Sequence, residues 1–144
     1  MSIILLLNLK LIIEETDAVI IKDELPNVMA DPIQMEQLFQ NLIGNAIKFR
    51  GENKPEIKIG KEIINSKWLI YIKDNGIGID KKYKDLIFII FQRLNQNNYP
   101  GTGIGLAVCK KIVERHGGKI WIESETGKGS TFYFTIPKKE INSL

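Results

Sequence analysis

Three groups of residues in this chain have the types and spacing that chemistry requires. Along "DPIQMEQLFQNLIGNAIKFR" (31 to 50), Gln37, Asn41, Asn45 and Lys48 recur at intervals of four, four and three, which makes one polar stripe on a helix. Such a stripe can be the solvated side of any amphipathic helix, although solvent alone favours Glu and Lys over amides. Two amide oxygens and one ammonium are also suitable ligands for a hydrated Mg²⁺ and a polyphosphate. In "YIKDNGIGID" (71 to 80), Asp74 closes a strand and is followed by Asn75, Gly76 and Gly78. Asp-Asn-Gly is a common tight turn, but the residues after it are Lys-rich and helical in pattern, not a partner strand. A carboxylate beside glycines, where backbone can come close, can accept a hydrogen bond from an exocyclic amine such as adenine N6.

The third group, "YPGTGIGLAV" (99 to 108), sets Gly101, Gly103 and Gly105 at every second position ahead of an apolar run. A dinucleotide fingerprint needs a further glycine or alanine three residues after the second glycine, directly behind a strand. Leu106 and Val108 occupy those positions here, and the preceding segment is an Asn-rich loop. "TGKGST" (126 to 131) is not a Walker loop either, because Gly129 stands where Ser or Thr must follow the lysine. Protein-kinase catalytic-loop motifs are absent. A glycine hinge at a helix N-terminus remains, with the backbone N–H groups of Ile104 and Gly105 available to an anion.

The elements that must position these groups follow from periodicity. Residues 31 to 50 are the clearest helix, with Asp31 as N-cap, Pro32 in the first turn and Gln34 completing a capping-box-like pair. Met35, Leu38, Phe39, Leu42, Ile43, Ala46 and Ile47 form its core face. Short strands are expected at 18 to 23 and 27 to 30, a hairpin over 56 to 74 turning at Asn65-Ser66, and a short helix at 83 to 91. A loop follows over 93 to 103, then a helix at 104 to 116 stopped by Gly117-Gly118, and a strand pair over 119 to 137. Strands and helices do not alternate, so the fold class is α+β: a two-layer sandwich with a mixed, mostly antiparallel sheet covered on one face by helices.

Composition bounds the function. The 144 residues are 44% hydrophobic and 26% charged, enough for one domain with a core of its own. Net charge is +3, but dispersed lysines without a basic block argue against nucleic-acid binding. A single cysteine, Cys109, sits in an apolar-periodic segment and points to a reducing, cytoplasmic setting. The apolar start at 3 to 16 lacks a basic n-region and a cleavage site, and it is too short to span a membrane. It is expected to be a helix with one apolar side, the tail of a longer one. The expected organisation is residues 1–16 as that leader, 17–138 as the functional domain and 139–144 as a tail.

Taken in order, "NLIGNAIKF", "DNGIGI", "IFIIFQR", "GTGIGLAVCKKIVERHGG" and "GKGSTFYFTIP" resemble the N, G1, F, G2 and G3 boxes of sensor histidine kinase catalytic domains, in the phytochrome-type branch. The resemblance covers about residues 18 to 137 and implies a Bergerat-type ATP-binding fold shared with gyrase B, Hsp90 and MutL. It implies ATP and Mg²⁺ as ligands, with Asp74 on the adenine amine and Gly76 and Gly78 shaping the loop beneath the base. Asn45 matches the Mg²⁺-binding asparagine, Asn41 a supporting ligand, and Lys48 and Arg93 groups that reach the phosphates. Asn41, Lys48 and Arg93 would thus form the catalytic set. Gly101, Thr102, Gly103, Ile104, Gly105 and Leu106 match the base of a mobile ATP lid, and Thr131 a third-box position near the adenine.

The implied reaction is transfer of the γ-phosphate to a histidine on a separate dimerisation hairpin, with a response regulator downstream and the isolated fragment a monomer. His116 lies in the wrong motif to be that histidine, and as a cation would suit the end of its helix. Ile89 and Ile90 depart from the acidic residue and proline common in the F box. A stand-alone anti-sigma-factor serine kinase and a non-catalytic nucleotide-sensing module are the competing readings. ATP-hydrolysing relatives carry a water-activating Glu where this chain has Asn41. An amide cannot accept that proton, so fast intrinsic hydrolysis is not expected.

Overall fold

The computed structural model describes residues 14, 16–26, 28–84, 86–89 and 104–138. Five strands form one mixed sheet: β1 (Val19–Lys22), β2 (Glu56–Ile64), β3 (Lys67–Asp74), β4 (Ile120–Glu125) and β5 (Gly129–Pro137). Their spatial order is β1-β2-β3-β5-β4, with β1 and β2 parallel and every other pair antiparallel. Two helices, α1 (Pro32–Lys48) and α2 (Ile104–Arg115), pack against one face. This is the α+β sandwich expected from the sequence.

The face is read from strand alternation. Isoleucines 57 and 59 on β2, 70 and 72 on β3 and 122 on β4 are buried, as are Phe132, Phe134 and Ile136 on β5. All point toward the helices, because alternate residues of a strand share a face. From α1 come Leu38, Phe39, Leu42, Ile43, Ala46 and Ile47, all buried, with Met35 half-buried beside them. Phe39 meets Phe134 edge-on at 5.7 Å, the orientation the ring quadrupoles favour. Full burial of one such aliphatic side chain stabilises the fold by about 1.5–3 kcal/mol.

Local signals explain the boundaries. Asp31 Oδ1 accepts from the N–H groups of Ile33 (2.9 Å) and Gln34 (3.1 Å), satisfying two orphan donors of α1. The reciprocal half of a capping box is absent: the Asp31 N–H is held at 3.1 Å by His116 Nε2 instead of by Gln34. At the far end of α2, Gly118 N bonds Val113 O and Gly117, at φ +79°, bonds Glu114 O, both at 3.0 Å. That pair is a Schellman stop. Asn65 and Ser66 both take positive φ, which closes the β2–β3 hairpin in two residues.

Two expected elements differ. Val28, Met29 and Ala30 are not a strand; they lead directly into the Asp31 cap. Of the helix expected at 83 to 91, the described residues are not α-helical, and residues 85, 90 and 91 lie outside them. Lys81–Tyr83 is one 3₁₀ turn, capped by Asp80 Oδ1 accepting from Lys82 N. Turns continue through Leu86 to Ile89, with Ile87 buried. A short apolar run buries a side chain or two without completing a helix, since nucleating one is costly. Glu14 and Thr16 are helical; the rest of the expected helix at 3 to 16 lies outside the described residues.

Candidate functional site

The inner face of the sheet carries two apolar rungs across β3, β5 and β4, Ile70–Phe134–Ile120 and Ile72–Phe132–Ile122. One step further along the same face the rung becomes polar: Asp74, Ser130 and Ser124. Asp74 Oδ1 accepts from Gly76 N at 2.8 Å and Ser130 N at 3.2 Å. Its second oxygen has no partner among the described residues, and no buried side-chain oxygen is left unsatisfied, so Oδ2 opens outward. Burial pushes the carboxyl above the ordinary aspartate range, and the two backbone donors pull against that shift. The result is a carboxylate fixed in direction with one oxygen free to accept a hydrogen bond.

The loop after Asp74 is held from three sides. Ile77 N donates to Phe49 O at the end of α1 (3.1 Å), and Gly127 N donates to Ile77 O (2.7 Å). Asn75 accepts from Glu56 N (2.9 Å) and donates to Lys54 O (3.0 Å), tying the loop to the start of β2. A side chain at Gly76 would come within 2.6 Å of Phe49 O. Gly78 has φ +74° and lies so close to the Glu125 carbonyl that a Cβ would collide with it. The glycines of this loop therefore let backbone pack on backbone beneath the Asp74 carboxylate.

Helix α1 supplies the adjoining wall. Asn41 and Asn45 are half-buried along its polar stripe, while Lys48 is exposed with its ammonium 5.9 Å from the Phe49 ring. A Cβ on Gly105 would sit 3.5 Å from Asn41 Oδ1, so this amide meets the first turn of α2, while the Cys109 thiol nearby donates to Leu38 O. The Asn45 amide bonds no described residue and stays available to a ligand. At the start of α2, Ile104 and Gly105 carry backbone N–H groups that a helix leaves unpaired, and Leu106 packs toward the core. Among the described residues no group of three or more His, Cys, Asp or Glu could hold a metal ion. The amide oxygens of Asn41 and Asn45 are hard donors of the type that Mg²⁺ takes.

The structure thus sets the first turn of α2 (Ile104, Gly105, Leu106) against α1 at Asn41, and the Asp74–Gly78 loop with Gly76 against the end of α1 at Phe49. Asn45 and Lys48 lie on α1 between these two contacts, and the space they border is the candidate cleft. Arg93, Gly101, Thr102 and Gly103 lie outside the described residues. Thr131 does not join the cleft: it shares a rung with Lys73 and Glu123 on the opposite face of the sheet. Ser130, one residue earlier, is the buried β5 residue whose backbone N–H meets Asp74, its hydroxyl lying against Ser124. The parity of Phe132, Phe134 and Ile136 in the sequence is the signal that would have found it.

His116 is held on both sides: its Nδ1 lies 2.7 Å from Ile112 O and its Nε2 accepts from Asp31 N at 3.1 Å. It latches the end of α2 to the cap of α1.

A mixed sheet under two helices, with an anchored aspartate at a strand end and an amide-lined helix beside it, is an α+β sandwich of the histidine kinase ATPase type. Residues 30–140 match the family described as histidine kinase-, DNA gyrase B- and HSP90-like ATPase, and the chain belongs to that family. It is 59% identical over 131 residues to cyanobacterial phytochrome A of Nostoc sp., covering 90% of this chain and 17% of that protein. It is 48% identical to the adaptive-response sensory kinase SasA of Prochlorococcus marinus subsp. pastoris, covering 81% of this chain and 32% of that protein. The chain therefore spans only a minor part of the length of these relatives.

Among solved structures, the nucleotide-free catalytic domain of histidine kinase ThkA is similar with TM-score 0.78 and 33% identity, covering 94% of this chain and 90% of that one. ThkA in complex with the response regulator protein TrrA matches with TM-score 0.74, 31% identity and coverage of 94% and 38%. Among the described residues no helix is long and apolar enough to cross a membrane.

Proposed function

We propose that this chain is the ATP-binding catalytic unit of a sensor histidine kinase, passing the γ-phosphate of ATP to a histidine on a separate helical hairpin. The observation that carries the reading is Asp74, with one carboxylate oxygen anchored by two backbone N–H groups and the other open to the cleft. Oδ2 accepts a hydrogen bond from the adenine amine, and the loop through Gly76 and Gly78 forms the floor under the base. Asn45, supported by Asn41, holds Mg²⁺ with the phosphates; the ion supplies charge neutralisation when bound. Lys48 contributes a point charge toward the phosphates, and Arg93 a forked donor set for the transferring group. The N–H groups at the start of α2 face the anionic end of the nucleotide.

The step itself forms a bond from an imidazole nitrogen of the acceptor to the γ-phosphorus and breaks the bond to the β–γ bridging oxygen, which leaves with ADP. Such transfers depend on positioning and charge stabilisation more than on covalent help from the protein. Asn41 has no basic group with which to activate water, so fast intrinsic hydrolysis is not expected and the acceptor imidazole is the nucleophile. Residues 17–138 form the ATP-binding domain in this reading, residues 1–16 lead into it from the hairpin and 139–144 form a tail. The kinase works where ATP is, in the cytoplasm, and a response regulator takes the phosphate onward. The complex of ThkA with a response regulator supports that partner class.

Incubation with labelled ATP, Mg²⁺ and a supplied dimerisation hairpin tests the reading. Label on a hairpin histidine, lost when that histidine is replaced, is the expected outcome. ATP binding without any transfer would instead mark a non-catalytic nucleotide module.

A further inference from the structure

Ser124 belongs to none of the boxes that mark the site, yet its hydroxyl is the junction of three elements. Ile79 N, at the end of the Asp74–Gly78 loop, donates to Ser124 Oγ at 2.7 Å. Ser124 Oγ lies 2.7 Å from Ser130 Oγ and donates to Gly129 O at 3.1 Å. The proton count is informative. A serine hydroxyl has one hydrogen and two lone pairs. With its hydrogen on Gly129 O, Ser124 fills both lone pairs by accepting from Ile79 N and from the Ser130 hydroxyl. Every valence of this oxygen is then used, and the Ser130 hydroxyl is turned toward β4. Ser130 is also the residue whose backbone N–H fixes Asp74 Oδ1.

We propose that Ser124 is a positioning residue of the nucleotide cleft, its hydroxyl locking the far end of the Asp74–Gly78 loop and the Ser130 corner of β5 into one rigid floor for the base. The inference rests on the reading of this cleft as an ATP site. Its location explains why a hydroxyl is used here. Along the inner face of β4, Ile120 and Ile122 precede Ser124, and an apolar side chain in the third place would leave the Ile79 N–H without its acceptor. The same change would free the Ser130 hydroxyl to swing. Both losses fall at the base end of the cleft, away from Lys48 and the start of α2. Ser124 therefore acts on ATP and ADP alike.

The test uses the whole chain as wild type, S124A, S124C and S124T, with isothermal titration of Mg·ATP and Mg·ADP well below the unfolding transition and amide hydrogen exchange at Ile79. S124A is expected to weaken both nucleotides roughly tenfold, the value of one hydrogen bond in a partly buried place, with their ratio unchanged. Exchange at Ile79 should speed up about as much without any nucleotide, and S124T should restore both readouts. A lowered melting temperature with wild-type affinity in the folded protein would make Ser124 merely structural and overturn the proposal. So would wild-type protection of Ile79 in S124A. If S124A does not fold, S124C keeps the volume with a weaker hydrogen-bonding group and is read in the same way. Failure of the wild type to bind ATP at all would instead strike the function from which the proposal starts, while the Ile79 exchange still reports whether the junction exists.

Discussion

Replacing Asp74 with Asn exchanges one carboxylate oxygen for an NH₂ group and leaves the shape unchanged. The amide oxygen can still accept from Gly76 N and Ser130 N, so the loop keeps its two anchors. The group that turns outward is now a donor facing the donor of an adenine amine. A hydrogen bond to a charged acceptor contributes about 1.5–3 kcal/mol, which at 1.4 kcal/mol per decade is a loss of roughly 10- to 150-fold in ATP affinity. Stability moves the other way. Because burial raises the Asp74 pKa in the folded state, the ionised form costs stability at neutral pH. As pH falls through that raised value toward the unfolded one, the native state takes up the extra proton and the penalty disappears. D74N should therefore melt at or above the wild-type temperature at pH 7, with the difference shrinking as pH falls through that window. Calorimetric titration with Mg·ATP and thermal melts at several pH values read both effects. Undiminished ATP affinity in D74N would refute the adenine assignment. A D74N variant that melts well below wild type at pH 7 would refute the account of Asp74 as a buried charge held at a cost for binding.

Other outcomes follow from the same geometry. Gly78→Ala puts a Cβ into the Glu125 carbonyl at a positive φ and should cost about 1–3 kcal/mol in urea unfolding, with weaker ATP binding as the floor shifts. Leu42→Ala removes a fully buried side chain between α1 and the sheet and should cost about 2–5 kcal/mol by the same measure. Burial pushes the Cys109 thiol up to about 12, so alkylating reagents at pH 8 should leave it untouched in the folded protein and label it on unfolding. His116→Leu removes the acceptor of Asp31 N and should loosen the α1 cap by about 1 kcal/mol, seen as faster amide exchange at Asp31.

Much of this protein was legible in its residues because the signals are local. The core face of α1 follows from a 3.6-residue period, and the buried residues of β2, β3 and β5 from a period of two. Asp31 and Gly117-Gly118 mark helix ends by capping chemistry that needs only a few neighbours. Asp74 and the amide stripe stand out by residue type and spacing. What could not be read was set by partners distant in the chain. Gln34 has the right type for a capping box, but His116, 85 residues away from Asp31, occupies that donor because α2 ends beside the start of α1. Thr131 resembles a pocket residue by motif, yet the rung it shares with Lys73 turns it to the other face and leaves Ser130 beside Asp74. Ser124 carries no motif at all; it gains its place only when β4 pairs with β5 and the Asp74 loop folds over the turn between them. The chain by itself determined the two long helices, the five paired strands and the residue types of the candidate site, since those depend on short-range periodicity and side-chain chemistry. The tertiary structure decided which β5 residue meets Asp74 and which groups hold the loop, because strand register and helix packing alone bring such residues within hydrogen-bonding distance.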